Sequence, residues 1–299
     1  KALYTVDTGG KVETFKADEL DLAAPSLSPD GKWIAIHRGA NEIAVMPTAG
    51  GEMRSVVQGF LIEGLQGDAS FSWSPDSKWL AAYRPEERGG SILAANIESG
   101  TTHVLARVPR YAATPKFLPN GKAVYYTSLE DEEMAVSVID LVAQPVTFSE
   151  DDLDGLDDAK KPAVAKNEVE IQMEGIERRV RRIAAAQASA LLASPDSKSV
   201  WANVAGQLSA IPVAGGAPAP VASVQGSAQN LKLSANGQKV YAMARGGLVA
   251  LTVASGQASP IAFNAQATID AKAEERALFA QIVWAIERFY YDPKLHGRD

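Results

Sequence analysis

The sequence predicts an all-β fold, a β-propeller of four-stranded antiparallel blades that is followed by one C-terminal α-helix. Three observations predict this fold class. A turn motif that leads into a β-strand recurs along the chain, and a glycine-containing hairpin recurs between its copies. Near Thr268 the hydrophobic periodicity changes from two residues to about 3.6, which indicates a helix after the propeller.

The turn motif is the strongest of the three signals. It first reads Ser-Pro-Asp-Gly-Lys from Ser28 and leads into an apolar run at Trp33. Proline presets φ, aspartate bonds back to its own backbone, and glycine or serine closes the turn before the strand. Copies lie at residues 28–36, 74–82, 118–126 and 194–202, with a weaker copy at 234–242. Four-stranded repeats spaced by about 40–45 residues are typical of propeller blades.

The glycine-containing hairpins predict the second half of each blade. They recur at Gly50, Gly100, Gly215 and Gly256, where glycine supplies the positive φ of a tight connection. Residues 1–16 resemble such a half-blade, so we expect its first two strands and further blades in sequence that precedes it. Five fuller blades are predicted at about 24–58, 66–108, 112–183, 186–224 and 227–263. The propeller domain is thus predicted to span 1–263, with about five and a half blades here and six or seven in the parent protein.

The composition excludes several classes of function. The net charge of −7 argues against a nucleic-acid partner and against binding to an anionic membrane. The chain has no cysteine, which excludes disulfides, cysteine-ligated zinc and a cysteine nucleophile. No apolar run reaches the length of about 18 residues that a membrane span needs. The composition suits the cytoplasm and the periplasm of a bacterial-type cell equally well.

The third blade contains an acidic insert at residues 150–158 and a basic segment at 176–183. The insert is predicted to be a solvated loop; a calcium site is the alternative, although the spacing fits no EF-hand loop. A strand is expected to resume at 169–173. The basic segment is predicted to be a strand whose arginines mostly face solvent, rather than an RNA-binding patch.

Residues 264–299 are predicted to form a linker and an amphipathic helix from Asp270 to Tyr291. Apolar residues at Leu278, Ile282 and Ile286 recur at helical spacing, Asp270 is a suitable N-cap, and Asp292-Pro293 ends the helix. Two interpretations remain open at this point. The helix either caps the propeller or begins a further domain.

The end of the chain carries a more specific pattern. The helix contains Glu275-Arg276 and Trp284, and it continues into Glu287-Arg288-Phe289-Tyr290-Tyr291-Asp292-Pro293 and then His296-Gly297. This run resembles the opening of the catalytic core in tricorn-type serine peptidases of the S41 class. Residues 169–180 resemble a strand motif of the family's second propeller, and 72–81 resemble its blade motif. The resemblance covers essentially the whole chain.

The resemblance implies an enzyme that trims or degrades peptides. Its propeller would gate the active site, select substrates or take part in assembly. Its partners would be peptide substrates and the enzyme's own downstream PDZ and catalytic core segments, and it allows a homo-oligomer. The catalytic Ser, His and acidic residue would all lie beyond Asp299, and His296 matches a structural position. No catalytic, cofactor-binding or metal-binding residue is therefore assigned in this chain, and no cofactor is expected.

The remaining residues give no sign of chemistry within the chain. His37 and His103 are predicted to be strand residues that face a neighbour or solvent, and the five tryptophans are predicted to be core residues. No Gly-x-Ser-x-Gly elbow, metal spacing or phosphate loop is present. The alternative function is a non-enzymatic, TolB-like propeller scaffold that binds protein partners. A WD-type scaffold is disfavoured because the blades lack that repeat's signature.

Overall fold

The computed structural model describes residues 2–7, 9–59, 71–130, 133–143, 168–185, 188–204, 207–221, 228–234, 236–244, 247–262 and 270–289. The chain divides into two compact units, Lys1–Pro260 and Ile261–Asp299. The predicted acidic insert at 150–158, and the predicted end of the helix at Tyr291 and Asp292-Pro293, lie outside the described residues.

The first unit is a β-propeller ring of five four-stranded antiparallel blades, preceded by a two-stranded half-blade. The half-blade contains β1 (Ala2–Val6) and β2 (Val12–Ala17). Blade 1 contains β3 (Leu22–Leu27), β4 (Trp33–Arg38), β5 (Glu42–Pro47) and β6 (Arg54–Gln58), and blade 2 contains β7 (Phe71–Trp73), β8 (Trp79–Pro85), β9 (Gly90–Asn96) and β10 (Thr102–Val108). Blade 3 contains β11 (Ala112–Phe117), β12 (Ala123–Glu130), β13 (Glu133–Asp140) and β14 (Val180–Ala185). Blade 4 contains β15 (Ala188–Ala193), β16 (Ser199–Val204), β17 (Gln207–Pro212) and β18 (Ala219–Pro220), and blade 5 contains β19 (Ala228–Leu233), β20 (Lys239–Ala244), β21 (Gly247–Thr252) and β22 (Ala258–Ile261). The predicted fold class and the five blade positions are confirmed.

The repeated motif forms the turn between the first two strands of each blade. The hydroxyl of Ser28 donates to Asp30 Oδ1 at 2.6 Å and accepts from the Trp33 N–H at 2.9 Å. The serine–aspartate bond recurs from Ser74 to Asp76 and from Ser194 to Asp196, and a serine–asparagine bond replaces it from Ser234 to Asn236. Because all these bonds join residues that are close in sequence, the motif specifies the same turn wherever it occurs.

The fourth residue of each turn adopts the left-handed conformation. In three blades it is glycine, and in the other two it is Ser77 with φ of 62° and Ser197 with φ of 60°. Each of these serines is buried and accepts a hydrogen bond from the turn of the preceding blade. The Asp30 N–H donates to Ser77 Oγ at 3.1 Å, and the Asn120 N–H donates to Ser197 Oγ at 3.0 Å. The turns therefore connect neighbouring blades as well as neighbouring strands.

The hydrophobic core lies between blades, where each cluster takes side chains from two neighbouring sheets. In blade 2, Leu80 and Ala82 face blade 1, whereas Ala81 and Tyr83 face blade 3. Because successive strand residues point to opposite faces, both sets must be apolar, and this explains the continuous apolar runs after each turn. Burial of one such Leu or Ile side chain contributes about 1.5–3 kcal/mol.

The fourth strand of blade 3 differs from the sequence prediction. Residues 169–173 form no strand; the outer neighbour of β13 is β14, which begins at Val180. Between them Gly175 adopts φ of 65° and a 3₁₀ helix, Ile176–Arg179, reverses the chain. The segment 169–173 is joined to blade 3 by a backbone hydrogen bond from the Gln172 N–H to the Leu141 carbonyl at 2.9 Å. The predicted strand at 169–173 is wrong, whereas the predicted strand at 176–183 is confirmed from Val180 onward.

The second unit contains the helix α1, Ala271–Phe289. Its predicted N-cap is confirmed, because Asp270 Oδ1 accepts the Lys272 N–H at 3.0 Å. Large apolar side chains on the helix are exposed, with Phe279 at 70% and Ile282 at 58%. Among the described residues no helix is long and apolar enough to cross a membrane.

Candidate functional site

The two histidines in described strands both contact aromatic rings. His37 lies on β4, is fully buried, and its ring centroid lies 5.3 Å from that of Phe71 in blade 2. Burial lowers the pKa of His37 below its ordinary value, so the ring is neutral near pH 7. His103 on β10 packs against Trp79 with 5.7 Å between centroids. Both face neighbours, as predicted, and His37 has no access to a solvent-borne substrate.

The tryptophans of the propeller mostly join strands or blades. Trp73 Nε1 donates to the Ser26 carbonyl of blade 1 at 3.1 Å, and the Arg54 guanidinium lies 5.5 Å from the centroid of Trp33. Trp201 is buried in the cluster between blades 4 and 5. The core prediction does not extend to Trp284, which is 53% exposed on α1.

The basic segment has a larger structural role than the sequence indicated. Arg181 binds Asp140 through two nitrogens, at 2.8 and 3.1 Å, and donates to the Val213 carbonyl of blade 4 at 3.0 Å. Arg179 donates to four carbonyls, those of Asp140, Leu141, Gln172 and Glu174. Only Arg178 and Arg182 are exposed. Two of the four arginines thus face solvent, as predicted, whereas Arg179 binds backbone carbonyls and Arg181 binds the Asp140 carboxylate and the Val213 carbonyl.

The first strands of the blades lie at the inside of the ring and are joined by polar side chains. β7 contacts β11, and β15 contacts β19. Ser72 Oγ donates to the Pro115 carbonyl of blade 3 at 2.7 Å, and Lys116 Nζ donates to the Leu191 carbonyl of blade 4 at 3.0 Å. Ser72 and Lys116 occupy equivalent positions, two residues before their turns. Polar groups at this position thus connect blades, which is a structural role.

A cleft of about 490 Å³ lies between blades 2 and 3, at the outer side of the ring. Residues 104–107 of β10 line one side, and Ile176, Glu177 and Val180 line the other. Leu105, Ala106 and Ile176 are buried, whereas Arg107 and Glu177 are exposed. The cleft is therefore apolar inside and charged at its rim, and its size lies within the usual range of about 300–1,000 Å³ for ligand pockets.

The rim of the cleft has a defined electrostatic arrangement. Arg107 Nη1 donates to Glu86 Oε2 at 2.9 Å, and Ser91 Oγ donates to Glu86 Oε1 at 2.5 Å. The Ser91 hydrogen bond, with Arg107 and Arg84 nearby, lowers the pKa of Glu86 below its ordinary value. Across the ranges that the structure describes, no group of three or more His, Asp or Glu residues could hold a metal ion. Ser91, whose hydroxyl lies beside the Glu86 carboxylate, is fully buried, so it is not accessible to a substrate in the cleft.

The sequence did not predict this cleft. Val104, Leu105 and Ala106 look like ordinary strand residues, and Ile176 belongs to a segment that was expected to be a strand. The cleft exists because the chain turns at Gly175 and returns beside β10. The only signal that could have indicated it is Gly175 itself, which interrupts the apolar alternation.

No protein-family model matches the chain, and no curated protein matches it in sequence. Its structure is similar to the crystal structure of the tricorn protease, with a TM-score of 0.69 and 14% identity, over 97% of this chain and 31% of that chain. TolB from Acinetobacter baumannii gives a TM-score of 0.53 and 17% identity, over 84% of this chain and 57% of that chain. The putative TolB from Agrobacterium tumefaciens gives a TM-score of 0.55 and 15% identity, over 84% of this chain and 83% of that chain. At these identities the likeness establishes the β-propeller fold alone, and the chain spans 31% of the length of the tricorn protease.

Proposed function

We propose that the chain is the propeller region of a tricorn-like serine peptidase, followed by the first helix of its catalytic core. In this role the propeller binds peptide segments and selects or guides them, while the Ser, His and acidic groups of an acyl-transfer mechanism lie in the core beyond Asp299. The chain itself contributes no catalytic group in this proposal, and its described histidines are packed against aromatic rings.

The observation that carries this proposal is the helix α1. Leu278, Phe279 and Ile282 are 52%, 70% and 58% exposed, and they form an apolar stripe at helical spacing. A stripe of this kind normally packs against further protein, because exposure of large contiguous apolar surface is unfavourable in water. A catalytic core that continues from the helix would supply that protein.

The extent of the structural likeness supports the same choice. The alignment with the tricorn protease takes in 97% of the chain, more than the residues of Lys1–Pro260 could supply. The alignments with the two TolB structures take in 84%. The likeness to the tricorn protease therefore includes residues of the second unit.

The experiment is to purify the native protein from its source, measure its intact mass and assay it with fluorogenic peptides. We expect a mass far above 31.7 kDa and peptide turnover that a serine-directed inhibitor abolishes. The recombinant 299-residue chain is the matched control, and we expect it to bind peptides without cleaving them. A native mass near 31.7 kDa together with no turnover would contradict the proposal.

A TolB-like scaffold that binds protein partners is the second candidate. The observation that favours it is the likeness to the putative TolB from Agrobacterium tumefaciens, of which the chain covers 83%. The same experiment separates the two functions. A native protein of the chain's own size that captures a protein partner and cleaves no peptide would establish the scaffold.

A further inference from the structure

We propose that the uncovered face of blade 5 binds the opening strand of a further blade of the same polypeptide. This face consists of Lys232 on β19 and of Tyr241 and Met243 on β20. Two hydrogen bonds fix the register of the incoming strand: Lys232 Nζ donates to one of its carbonyls, and Tyr241 Oη accepts one of its N–H groups. The inference goes beyond the proposed function, because it holds for a peptidase region and for a scaffold alike.

The first argument is that the second strand of blade 5 is packed on one face only. Seven and nine residues after the start of each turn motif, the side chains point away from the preceding blade. In blades 1 to 4 these residues are at most 5% exposed, and they are Ala35, His37, Ala81, Tyr83, Tyr125, Thr127, Trp201 and Asn203. Their equivalents in blade 5, Tyr241 and Met243, are 38% and 45% exposed. Val240 and Ala242, on the opposite face, are buried between blades 4 and 5.

The second argument is what covers the equivalent positions in the other blades. His37 of blade 1 packs against Phe71, the first residue of β7 in blade 2. Asn203 of blade 4 binds Ala228, the first residue of β19 in blade 5, and its Oδ1 accepts the Ala228 N–H at 3.0 Å. Both contacts go to the opening strand of the next blade. Because Met243 occupies the same position as His37 and Asn203, an opening strand is the structure that fits over it.

The hydroxyl of Tyr241 gives the first point of register. Tyr125 occupies the equivalent position in blade 3, and its Oη accepts the N–H of Ala193 in blade 4 at 3.0 Å. Ala193 is the last residue before the turn motif of its blade. We therefore expect Tyr241 Oη to accept the N–H of the residue that directly precedes the turn of the incoming blade.

Lys232 gives a second point of register that agrees with the first. It lies directly opposite Tyr241 in the pairing of β19 with β20, so both side chains are on the same face, and Lys232 is exposed. Lys116 has the equivalent position in blade 3, and its Nζ donates to the Leu191 carbonyl of blade 4 at 3.0 Å. Leu191 lies three residues before its turn motif. We therefore expect Lys232 to donate to the carbonyl at that position of the incoming strand.

The third argument identifies the source of the incoming strand. The half-blade at the other end of the series also has an exposed apolar face, where Tyr4 and Val6 are 57% and 64% exposed. Its described sheet contains β1 and β2 alone, which correspond to the third and fourth strands of a blade. A further blade of the same polypeptide would continue the series from which both faces derive. A second copy is a poor donor, because its opening strands β3, β7, β11, β15 and β19 already lie in complete blades.

The test is hydroxyl-radical footprinting of the native protein and of the recombinant 299-residue chain, with oxidation read by mass spectrometry. Met243 and Tyr241 should be oxidised readily in the recombinant chain and about tenfold more slowly in the native protein, because oxidation follows exposure. Met46 is the buried reference, at 1% exposure, and Tyr111 is the exposed reference, at 43%. Lysine-directed cross-linking of the native protein should join Lys232 to a blade sequence of the same polypeptide outside residues 1–299.

A variant tests the side-chain contacts in the protein expressed from its full-length gene. Met243→Glu places a charge in the expected interface, so oxidation of Tyr241 should rise to within about twofold of its rate in the recombinant chain. The same substitution in the recombinant chain should leave its Tm unchanged, because Met243 is exposed there, and this shows that blade 5 still folds. Ala49→Glu is the charge-matched control, because Ala49 is exposed in a hairpin of blade 1, and it should leave Tyr241 protected.

Three outcomes would overturn the inference. Equal oxidation of Met243 in the native protein and the recombinant chain would show that nothing covers the face. Protection of the recombinant chain that rises with its concentration would assign the face to a second copy, and cross-links to a different polypeptide would assign it to another protein. A native mass near 31.7 kDa would also exclude a further blade, whereas absence of turnover by a larger native protein counts only against the proposed function.

Discussion

At the scale of the residue, the propeller depends on single side chains that join two blades. Ser77 and Ser197 adopt a backbone conformation that costs a serine about 1–2 kcal/mol, and each receives a hydrogen bond from the turn before it. In blade 1 the equivalent residue is Gly31, and a Cβ there would meet nothing within 4 Å. At Ser77 and Ser197 the bond from the neighbouring turn offsets this cost.

Replacement of Ser77 tests this account. Ser77→Ala loses the bond from the Asp30 N–H but keeps the left-handed backbone, so we expect the free energy of unfolding to fall by about 1 kcal/mol. Ser77→Gly also loses the bond but removes the strain, so its loss should be smaller. Gly31→Ser is the matched control, and it should cost about 1 kcal/mol because serine is strained at φ of 70° and gains no compensating bond. Urea unfolding at equal m-values measures all three, and a Ser77→Ala variant as stable as the parent would refute the account.

His37 makes the stability of the propeller depend on pH. Its pKa is lowered in the folded state by burial, so the unfolded chain binds the proton more readily. The stability contributed by the neutral ring is complete above the unfolded pKa of about 6.5 and is lost as pH falls below it, towards the folded pKa. We expect a slope of at most about 1.4 kcal/mol per pH unit below about pH 6.5.

His37→Gln removes the titrating group and should make this slope shallower, whatever its effect on absolute stability. The measurement is the free energy of unfolding in urea at several pH values for both proteins. His103→Gln is the control, because His103 is only half-buried on the outer strand β10. Equal slopes for the parent and His37→Gln would show that burial of His37 does not control the pH dependence.

At the scale of the element, one arginine fixes the course of the chain between blades 2 and 3. Arg179 donates to the Asp140 carbonyl at 2.9 Å and to the Glu174 carbonyl at 2.8 Å, which joins the 3₁₀ helix to the end of β13. The Val169 N–H donates to Asp76 Oδ2 in the turn of blade 2 at 2.8 Å. These contacts hold the segment whose end forms one wall of the cleft.

Arg179→Ala should loosen this segment without unfolding the propeller. Hydrogen bonds from a charged group contribute about 1.5–3 kcal/mol, so we expect a loss of at least that size in local stability. Amide exchange of Gln172, whose N–H donates to the Leu141 carbonyl, and of Ile176, whose N–H donates to the Met173 carbonyl, should become faster. Arg178→Ala is the matched control, because Arg178 is adjacent and exposed. Unchanged amide exchange in Arg179→Ala would contradict the role of Arg179 in holding this segment.

At the scale of the whole molecule, the blades form a ring whose core clusters lie between neighbouring sheets. Each core cluster takes its side chains from two neighbouring blades, and the cleft at β10 lies between blades 2 and 3 as well. The two described histidines pack against aromatic rings, and serines that donate to carboxylates, such as Ser28 and Ser91, are buried.

The 299-residue chain alone is therefore expected to hydrolyse no peptide. His37 is fully buried, His103 packs against Trp79, and a general base must reach both the nucleophile and the substrate. The measurement is turnover of fluorogenic peptides by rigorously purified chain, with His296→Ala as the control for a contribution from the end of the sequence. Turnover that survives this substitution would contradict the prediction.

The sequence by itself determined the number, boundaries and turns of the blades. The bonds that make each turn join residues such as Ser28, Asp30 and Trp33, which are close in the chain, and the alternation of apolar residues is also local. The N-cap of α1 at Asp270 was predictable for the same reason. Local chemistry of this kind acts in the same way wherever the motif occurs.

The tertiary structure alone decided which segment completes blade 3, the burial of His37 and the presence of the cleft. The bond between Val169 and Asp76 joins residues 93 positions apart, and His37 is covered by Phe71 of the next blade. Residues 169–173 and 180–185 are both suitable strands in isolation, and the contacts of Arg179 and the turn at Gly175 select the second. These features depend on packing between blades, and the free energy of such packing belongs to pairs of segments that the local pattern does not relate.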